Sequence, residues 1–184
     1  MAGIIHIAGA AGSGKTTLAR ALGGALHLPW YDTDDYYWVK TDPPYRVSRS
    51  YDEIEALLAG EVRKTPDCVI AGSLRRYPGI TAGITFAVFL TMEQDARMAR
   101  LMAREQARYG ERMLPGGDMH ETHLEFIRWA ECYETSRTEP GNRYEQESFL
   151  ATLDCPVLRM DATRPTGEQV KTLIGLIVDS GVAL

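Results

Sequence analysis

Long apolar runs are missing from this chain of 184 residues. No stretch approaches the roughly 20 apolar residues that span a bilayer, so a membrane partner is not expected. The opening residues, MAGIIHIAGAAGSGKTT, also lack the basic start and long apolar core of a signal peptide, which makes the cytoplasm the expected location. Cysteine is scarce. Cys68, Cys132 and Cys155 are an odd, widely separated set without a CxxC pair, a usage that argues against a disulfide framework or a zinc knuckle and for reduced thiols. Net positive charge is absent as well: 20 Lys and Arg stand against 25 Asp and Glu, a formal charge of -5, which excludes a general attraction to nucleic acid or anionic lipid. Repeats, low-complexity tracts and linkers are missing too, and 45% hydrophobic content over this length suits one core. A single domain over residues 1–184 is expected, as a monomer or homodimer.

What is present is an alternation of short apolar runs and helical patterns. Residues 3–8 (GIIHIA) read as a buried strand stopping at a glycine cluster, and residues 15–26 follow with Leu18, Ala21, Leu22 and Ala25 at helical spacing. A second strand lies within residues 27–32, its core near Trp30 and Tyr31 because of Pro29. Ser50 and Glu53 form a capping-box pattern that opens a helix to about residue 62. Residues 68–71, 85–90 and 157–160 read as further strands, and residues 93–109 and 166–179 as helices. Pro115, Gly116 and Gly117 break the chain, and Asp118 with Glu121 suggests a capped helix reaching the region of residue 135. The polar, proline-containing KTDPPYRVSR reads as a substrate-side excursion, and TSRTEPGNRYEQES as a polar segment before the last strand. Strands alternating with helices make an α/β fold with a mainly parallel sheet and sites at the carboxyl ends of its strands.

The most specific motif is GAAGSGKT, in which Gly9, Gly14, Lys15 and Thr16 have the GxxxxGK[ST] spacing between a strand and a helix. A glycine-rich loop lets backbone amides converge on phosphate oxygens, and the helix N-terminus adds the positive end of its dipole. Gly9, Ala11, Gly12, Ser13, Gly14, Lys15, Thr16 and Thr17 are therefore the expected ATP-binding residues, with Lys15 reaching the β- and γ-phosphates and Thr16 holding Mg²⁺.

With GAAGSGKTT at the first turn and YDTDDYYW after the second strand, the chain resembles the small-molecule kinases grouped around shikimate kinase and adenylate kinase, the nucleoside monophosphate kinase-like group. The resemblance implies a three-layer P-loop kinase fold: a five-stranded parallel sheet in the order 2-3-1-4-5, an acceptor-binding excursion over about residues 33–64, and a short lid over about residues 108–120. In shikimate kinase-like proteins the second strand ends in Asp-x-Asp. Asp32 and Asp34 match it, implying a metal role for Asp32 and an acceptor or base role for Asp34. If the segment is extended, the two carboxylates face one way and Asp35 another; a solvated turn or helix cap is the alternative. AGSLRR lies where adenylate kinase-like enzymes carry Asp-Gly-x-Pro-Arg and shikimate kinase-like enzymes a triple glycine. Gly72 and Arg75 fit as acceptor contacts, whereas Ala71 stands in place of the Asp, and the Phe-Arg pair that binds shikimate has no counterpart.

Arg97, Arg100, Arg104 and Arg108 form one stripe at helical spacing, with Arg112 following. Such stripes are ordinarily solvated faces. By resemblance, Arg104, Arg108 and Arg112 are lid arginines that neutralise the transferring phosphoryl group, while Arg97 and Arg100 read as structural. In DATRPTGEQ, Arg164 could stack on adenine or belong to a plain surface turn. Tyr37, with Tyr36 and Trp38, is a candidate acceptor wall or core packing. Asp118, His120 and His123 are a weak metal cluster without a further ligand.

The expected activity is Mg²⁺-assisted transfer of the γ-phosphoryl group of ATP to a small-molecule hydroxyl, with Asp34 handling the acceptor. An adenylate kinase-like nucleotide kinase, relying on Arg75, is the nearest alternative. A regulatory module with slow ATPase activity is the other, weakened in its GTPase form by the absence of an NKxD pattern.

Overall fold

The runs IIHIAG and ITFAVFLT carry too many successive apolar residues for a sheet with one wet face. In the structure, a computed structural model that describes residues 3–180, they form the central strands β1 (Ile4–Gly9) and β4 (Ile84–Thr91). β3 (Cys68–Ala71) pairs with the other side of β1, and β2 (Trp30–Asp32) and β5 (Val157–Asp161) are the edges. All pairs are parallel, in the order β2-β3-β1-β4-β5, with Ile7 opposite both Ala71 and Val88. This is the expected topology.

Parallel strands need crossovers, and the crossovers cover both faces with helices. On one face lie α1 (Lys15–Leu26) and α8 (Thr166–Asp179), whose Leu18, Leu22, Leu173 and Ile177 pack on Ile5, Ile7, Val69 and Val88. On the other face Ile54 and Leu58 of α3 (Tyr51–Lys64) and Leu150 of α7 (Arg143–Leu150) pack on Ile4, Ile70 and Phe89. The Ser50–Glu53 capping box is present at the start of α3. A short turn of helix, α4 (Pro78–Thr81), follows β3; α5 (Gln94–Tyr109) and α6 (His120–Glu131) lie beyond β4. No helix among the described residues is long and apolar enough to cross a membrane.

Three local readings are corrected. The segment after β2 is not extended but a short helix, α2 (Thr33–Tyr37): Asp32 caps it by accepting from the Asp34 amide at 3.1 Å, and Asp34 and Asp35 favour its first turn. Asp118 does not cap α6, which starts after Met119 without a side-chain cap and ends at Glu131, short of residue 135. The arginine of the preceding 3-10 turn Gly110–Met113, Arg112, engages the Asp118 carboxylate instead. Within the polar segment before β5, Asn142 Oδ1 accepts from the Glu145 amide at 2.9 Å and opens α7.

Candidate active site

At the carboxyl end of β1 the chain turns through Gly9, Gly12 and Gly14, with φ of 145°, 83° and 95°. Space as well as conformation demands glycine at the first two: a Cβ at Gly9 would meet the Leu90 carbonyl at 2.7 Å, and one at Gly12 the Arg97 carbonyl at 2.9 Å. Gly14 is the left-handed N-cap of α1 and supplies no side-chain cap, so the first amides of α1, those of Lys15, Thr16 and Thr17, remain open to an anion. Inside the loop the Ser13 amide donates to Ala10 O at 3.2 Å, while the Ser13 hydroxyl, 2% exposed, has no partner among the described residues. Lys15 Nζ donates to Ala10 O at 2.8 Å. Open amides, an orphaned hydroxyl and a lysine at the mouth of a helix fit a polyphosphate.

Facing the loop, Thr16 Oγ1 donates to Asp32 Oδ2 at 2.5 Å, so the two expected metal residues are adjacent. Both are hard oxygen ligands, as Mg²⁺ prefers. No group of three His, Cys, Asp or Glu among the described residues forms a metal cage, so Mg²⁺ here would complete its shell with phosphate oxygens and water. The residues of the other candidate cluster have separate engagements. Asp118 pairs with Arg112, His120 Nδ1 lies 2.9 Å from Met113 O, and the buried His123 faces Glu105 at 3.9 Å.

Asp34 lies beside Lys15. Crowding by protein and then the charge of Asp32 push its carboxyl above the ordinary carboxylate value, against the opposing pull of Lys15. The Lys15 ammonium is held below its ordinary value, first by desolvation, although Asp34 and Asp32 counteract this. Asp34 nonetheless remains exposed to solvent on one side.

On the acceptor side, Gly72 has φ 112° and approaches Thr33 so closely that a Cβ would overlap the Thr33 hydroxyl, which accepts from the Ser73 amide at 3.2 Å. The loop after β3 is thereby clamped to the helix that carries Asp34. Arg75 donates to Glu145 of α7 at 3.0 Å, and the same carboxylate oxygen accepts from the Gly141 amide at 2.8 Å. Tyr37 packs edge-on against Trp38 at 4.7 Å and near Tyr51 at 6.4 Å, and Tyr51 continues to Tyr77 at 6.3 Å. Burial pushes the Tyr77 hydroxyl up to about 12, with Tyr51, Tyr37 and Asp34 adding to it.

Behind Gly72 and Ser73 a recess of about 10 Å³ is lined by His6, Arg75, Glu145 and Phe149. His6 is 1% exposed, its Nδ1 lies 3.4 Å from Ile70 O, and its Nε2 has no partner among the described residues. Burial lowers its pKa to about 4, so the ring is neutral at pH 7. Sequence reasoning missed His6, Tyr51, Tyr77 and Glu145. Strand periodicity puts His6 on the face of Ile4 and Ala8, but nothing in the sequence marks what stands opposite it.

The arginines separate. Arg104, paired with Glu105 at 3.1 Å and lying over Phe126, is among the charges acting on Lys15 and Asp34. Arg108 is exposed and has no ion-pair partner among the described residues. Arg112 bonds Asp118 at 2.8 Å and Asp42 at 2.6 Å, and Arg46 donates to Asp118 O at 2.6 Å, which joins the 108–120 segment to the excursion after β2. Arg100 donates to Ala162 O at 3.0 Å, beside exposed Arg164, whose own carbonyl accepts from Gln169. Arg97 is not on a solvated face at all: it is 1% exposed.

No family model matches the chain. Shikimate kinase from Bacteroides thetaiotaomicron superposes with a TM-score of 0.57 and 19% identity, over 95% of this chain and 98% of that one. A gluconokinase from Sinorhizobium meliloti 1021 superposes with a TM-score of 0.50 and 19% identity, over 97% of this chain and 94% of that one. These likenesses establish the P-loop kinase fold of shikimate kinase. In sequence, the uncharacterized protein YqaC of Bacillus subtilis (strain 168) is 32% identical over 171 residues, 92% of this chain and 94% of its own length. The chain belongs to the same family as YqaC.

Proposed function

We propose that the protein is an ATP-dependent kinase that phosphorylates a hydroxyl group of a small polar molecule. The observation that carries this reading is the juxtaposition, at the carboxyl ends of β1 and β2, of an open phosphate loop with Lys15, the Thr16–Asp32 pair, and Asp34. Fold likeness to kinases supports it at the level of architecture only.

In this reading the loop amides and Lys15 hold the β- and γ-phosphates, and Thr16 with Asp32 seats Mg²⁺. When bound, Mg²⁺ neutralises charge on the phosphate oxygens. Asp34 orients the acceptor hydroxyl in line with the γ-phosphorus and takes its proton. The new bond joins the acceptor oxygen to phosphorus, the bond to the bridging oxygen of the β-phosphate breaks, and ADP leaves with that electron pair. Arg104 is near enough to act electrostatically on Lys15 and Asp34, and Arg108, exposed and without an ion-pair partner among the described residues, is a cation that lid movement can bring in. Gly72, Tyr37 and the recess at His6 bound the acceptor. Arg164 stands at the loop after β5 for the base. The working location is the cytoplasm, with neither nucleic acid nor membrane as partner.

A hydroxyl acceptor is favoured over a nucleoside monophosphate because Arg75, the cation that a phosphate dianion would need, already bonds Glu145. The test is coupled measurement of ADP release over hydroxy acids, sugars, sugar acids, nucleosides and nucleoside monophosphates, with Mg²⁺ present. Strong stimulation by a hydroxyl compound is expected. Stimulation by monophosphates alone would give the nucleotide-kinase reading, and slow release indifferent to every acceptor would give a regulatory module.

A further inference from the structure

We infer that Arg97 is a positioning residue for the phosphates of the nucleotide, acting through the peptide unit that joins Ala11 to Gly12. The inference rests on the phosphate-binding reading above and adds to it a side chain from the far side of the loop.

Arg97 sits on α5, directly behind the phosphate loop. Its Nη1 donates to Ala11 O at 3.2 Å, its Nη2 donates to Ala130 O at 2.9 Å near the end of α6, and its guanidinium carbon lies 5.3 Å from the ring of Tyr133. The loop and α5 are in direct contact, since a Cβ at Gly12 would meet Arg97 O at 2.9 Å and Arg97 Cγ at 3.3 Å. Both main-chain partners are neutral carbonyls. No carboxylate lies within ion-pair distance of Arg97 among the described residues, and Nε has no partner.

This is an unusual charge to bury. An arginine does not escape desolvation by losing its proton, so an interior guanidinium without a carboxylate is costly unless something else supplies negative charge. Burial holds its pKa below the ordinary range, with Glu134 only partly offsetting it. A polyphosphate on the opposite side of the loop supplies that charge across one peptide plane. The geometry also gives a directed route: a guanidinium donating to Ala11 C=O polarises that peptide and makes the Gly12 N–H a stronger donor toward the phosphate. The same side chain holds the carboxyl end of α6, whose other end follows the 108–120 segment. Loss of Arg97 therefore slackens the loop and the lid-bearing helix together.

The test is calorimetric titration of wild type, Arg97→Met and Arg97→Lys with MgATP, MgADP and AMP. Because the effect acts on the phosphates that meet the Gly12 amide, the loss in Arg97→Met is expected to grow with the length of the phosphate chain reaching the loop: about tenfold or more for MgATP, less for MgADP, and within about twofold for AMP, whose single phosphate lies outermost. Arg97→Lys, which restores the charge, is expected to recover MgATP affinity to within about threefold of wild type. A merely structural residue would lower the melting temperature and weaken all three nucleotides alike. An Arg97→Met protein that melts cooperatively and binds MgATP as wild type does, or that loses the three ligands equally, overturns the inference. Should Arg97→Met not fold, NMR of the wild-type protein decides: the Gly12 amide proton is expected to move downfield on addition of MgADP, and no movement overturns the proposal. Wild type that takes up no nucleotide overturns the phosphate-binding reading as well, an outcome distinct from wild-type affinity in the variant.

Discussion

Asp34→Asn separates catalysis from binding and from stability. The change is isosteric, and it spares the neighbouring contacts, because the cap on α2 uses the Asp34 backbone amide and the Thr16–Asp32 pair does not involve the Asp34 side chain. Three effects follow with definite signs. Turnover falls, because a carboxylate assisting proton removal contributes about 10²–10⁴-fold, or roughly 3–5 kcal/mol of barrier. Affinity for MgATP stays the same or improves, since the lost charge is negative and lies beside Lys15. Stability near neutral pH rises slightly. In the folded protein the Asp34 pKa is raised, first by desolvation, so its ionised form is disfavoured relative to the unfolded chain. That penalty is fully present at high pH, is relieved as pH falls through the raised folded value, and is gone below the unfolded value. Removing it helps only modestly, by about 1–2 °C in melting temperature, because the side chain stays open to water on one side. Wild-type kcat/KM is expected to rise with pH through one ionisation lying above the ordinary carboxylate value of 3.8. The variant should lose that limb. The assay is coupled ADP release with the best acceptor from the panel, from pH 4.5 to 9, beside calorimetry with MgATP and thermal melts. Full turnover in a variant that binds MgATP normally would refute the role given to Asp34.

Other perturbations probe separate links of the argument. Gly72→Ala adds a methyl at φ 112° where it overlaps Thr33 Oγ1, so it should break the clamp between the loop after β3 and α2; KM for the acceptor is expected to rise about tenfold or more with MgATP affinity nearly unchanged, measured by steady-state kinetics. Leu22→Ala empties a fully buried position between α1 and the sheet and should cost about 2–5 kcal/mol in urea titration, whereas a loss under 1 kcal/mol would contradict the packing described. Asp32→Asn should weaken the Mg²⁺ dependence of turnover, seen as a higher Mg²⁺ concentration at half-maximal rate, while leaving metal-free nucleotide binding in place.

Much of this was legible because the physics was local. β3, α1 and α8 fall where hydrophobic spacing and the flanking glycines put them, and the Ser50–Glu53 box forms as its pattern implies. The phosphate loop is readable because its positive φ values admit few residues other than glycine, so conformation leaves a mark in composition. Of the helices that escaped, α2 and α7 did so for different reasons. α2 is five residues long with no apolar stripe, and the acidic cluster that caps and opens it is also what a solvated turn looks like. α7 carries a signal that polar composition hid: Gly141-Asn142-x-x-Glu145 is a capping pattern, with Asn142 accepting from the Glu145 amide and the Glu145 carboxylate accepting from Gly141. Arg97 escaped because helical spacing puts it on one stripe with Arg104 and Arg108 without telling which part of that stripe another element covers. That requires knowing that the phosphate loop and Tyr133 lie against it, which is long-range information.

The account rests most directly on polyphosphate uptake by the loop between β1 and α1. Calorimetric titration of the folded protein with a non-hydrolysable ATP analogue and Mg²⁺ is predicted to show saturable one-to-one binding, weakened about tenfold or more in Lys15→Met, which loses the charge proposed to meet the phosphates. Absence of binding to well-folded wild-type protein, or equal affinity in the two proteins, would contradict it.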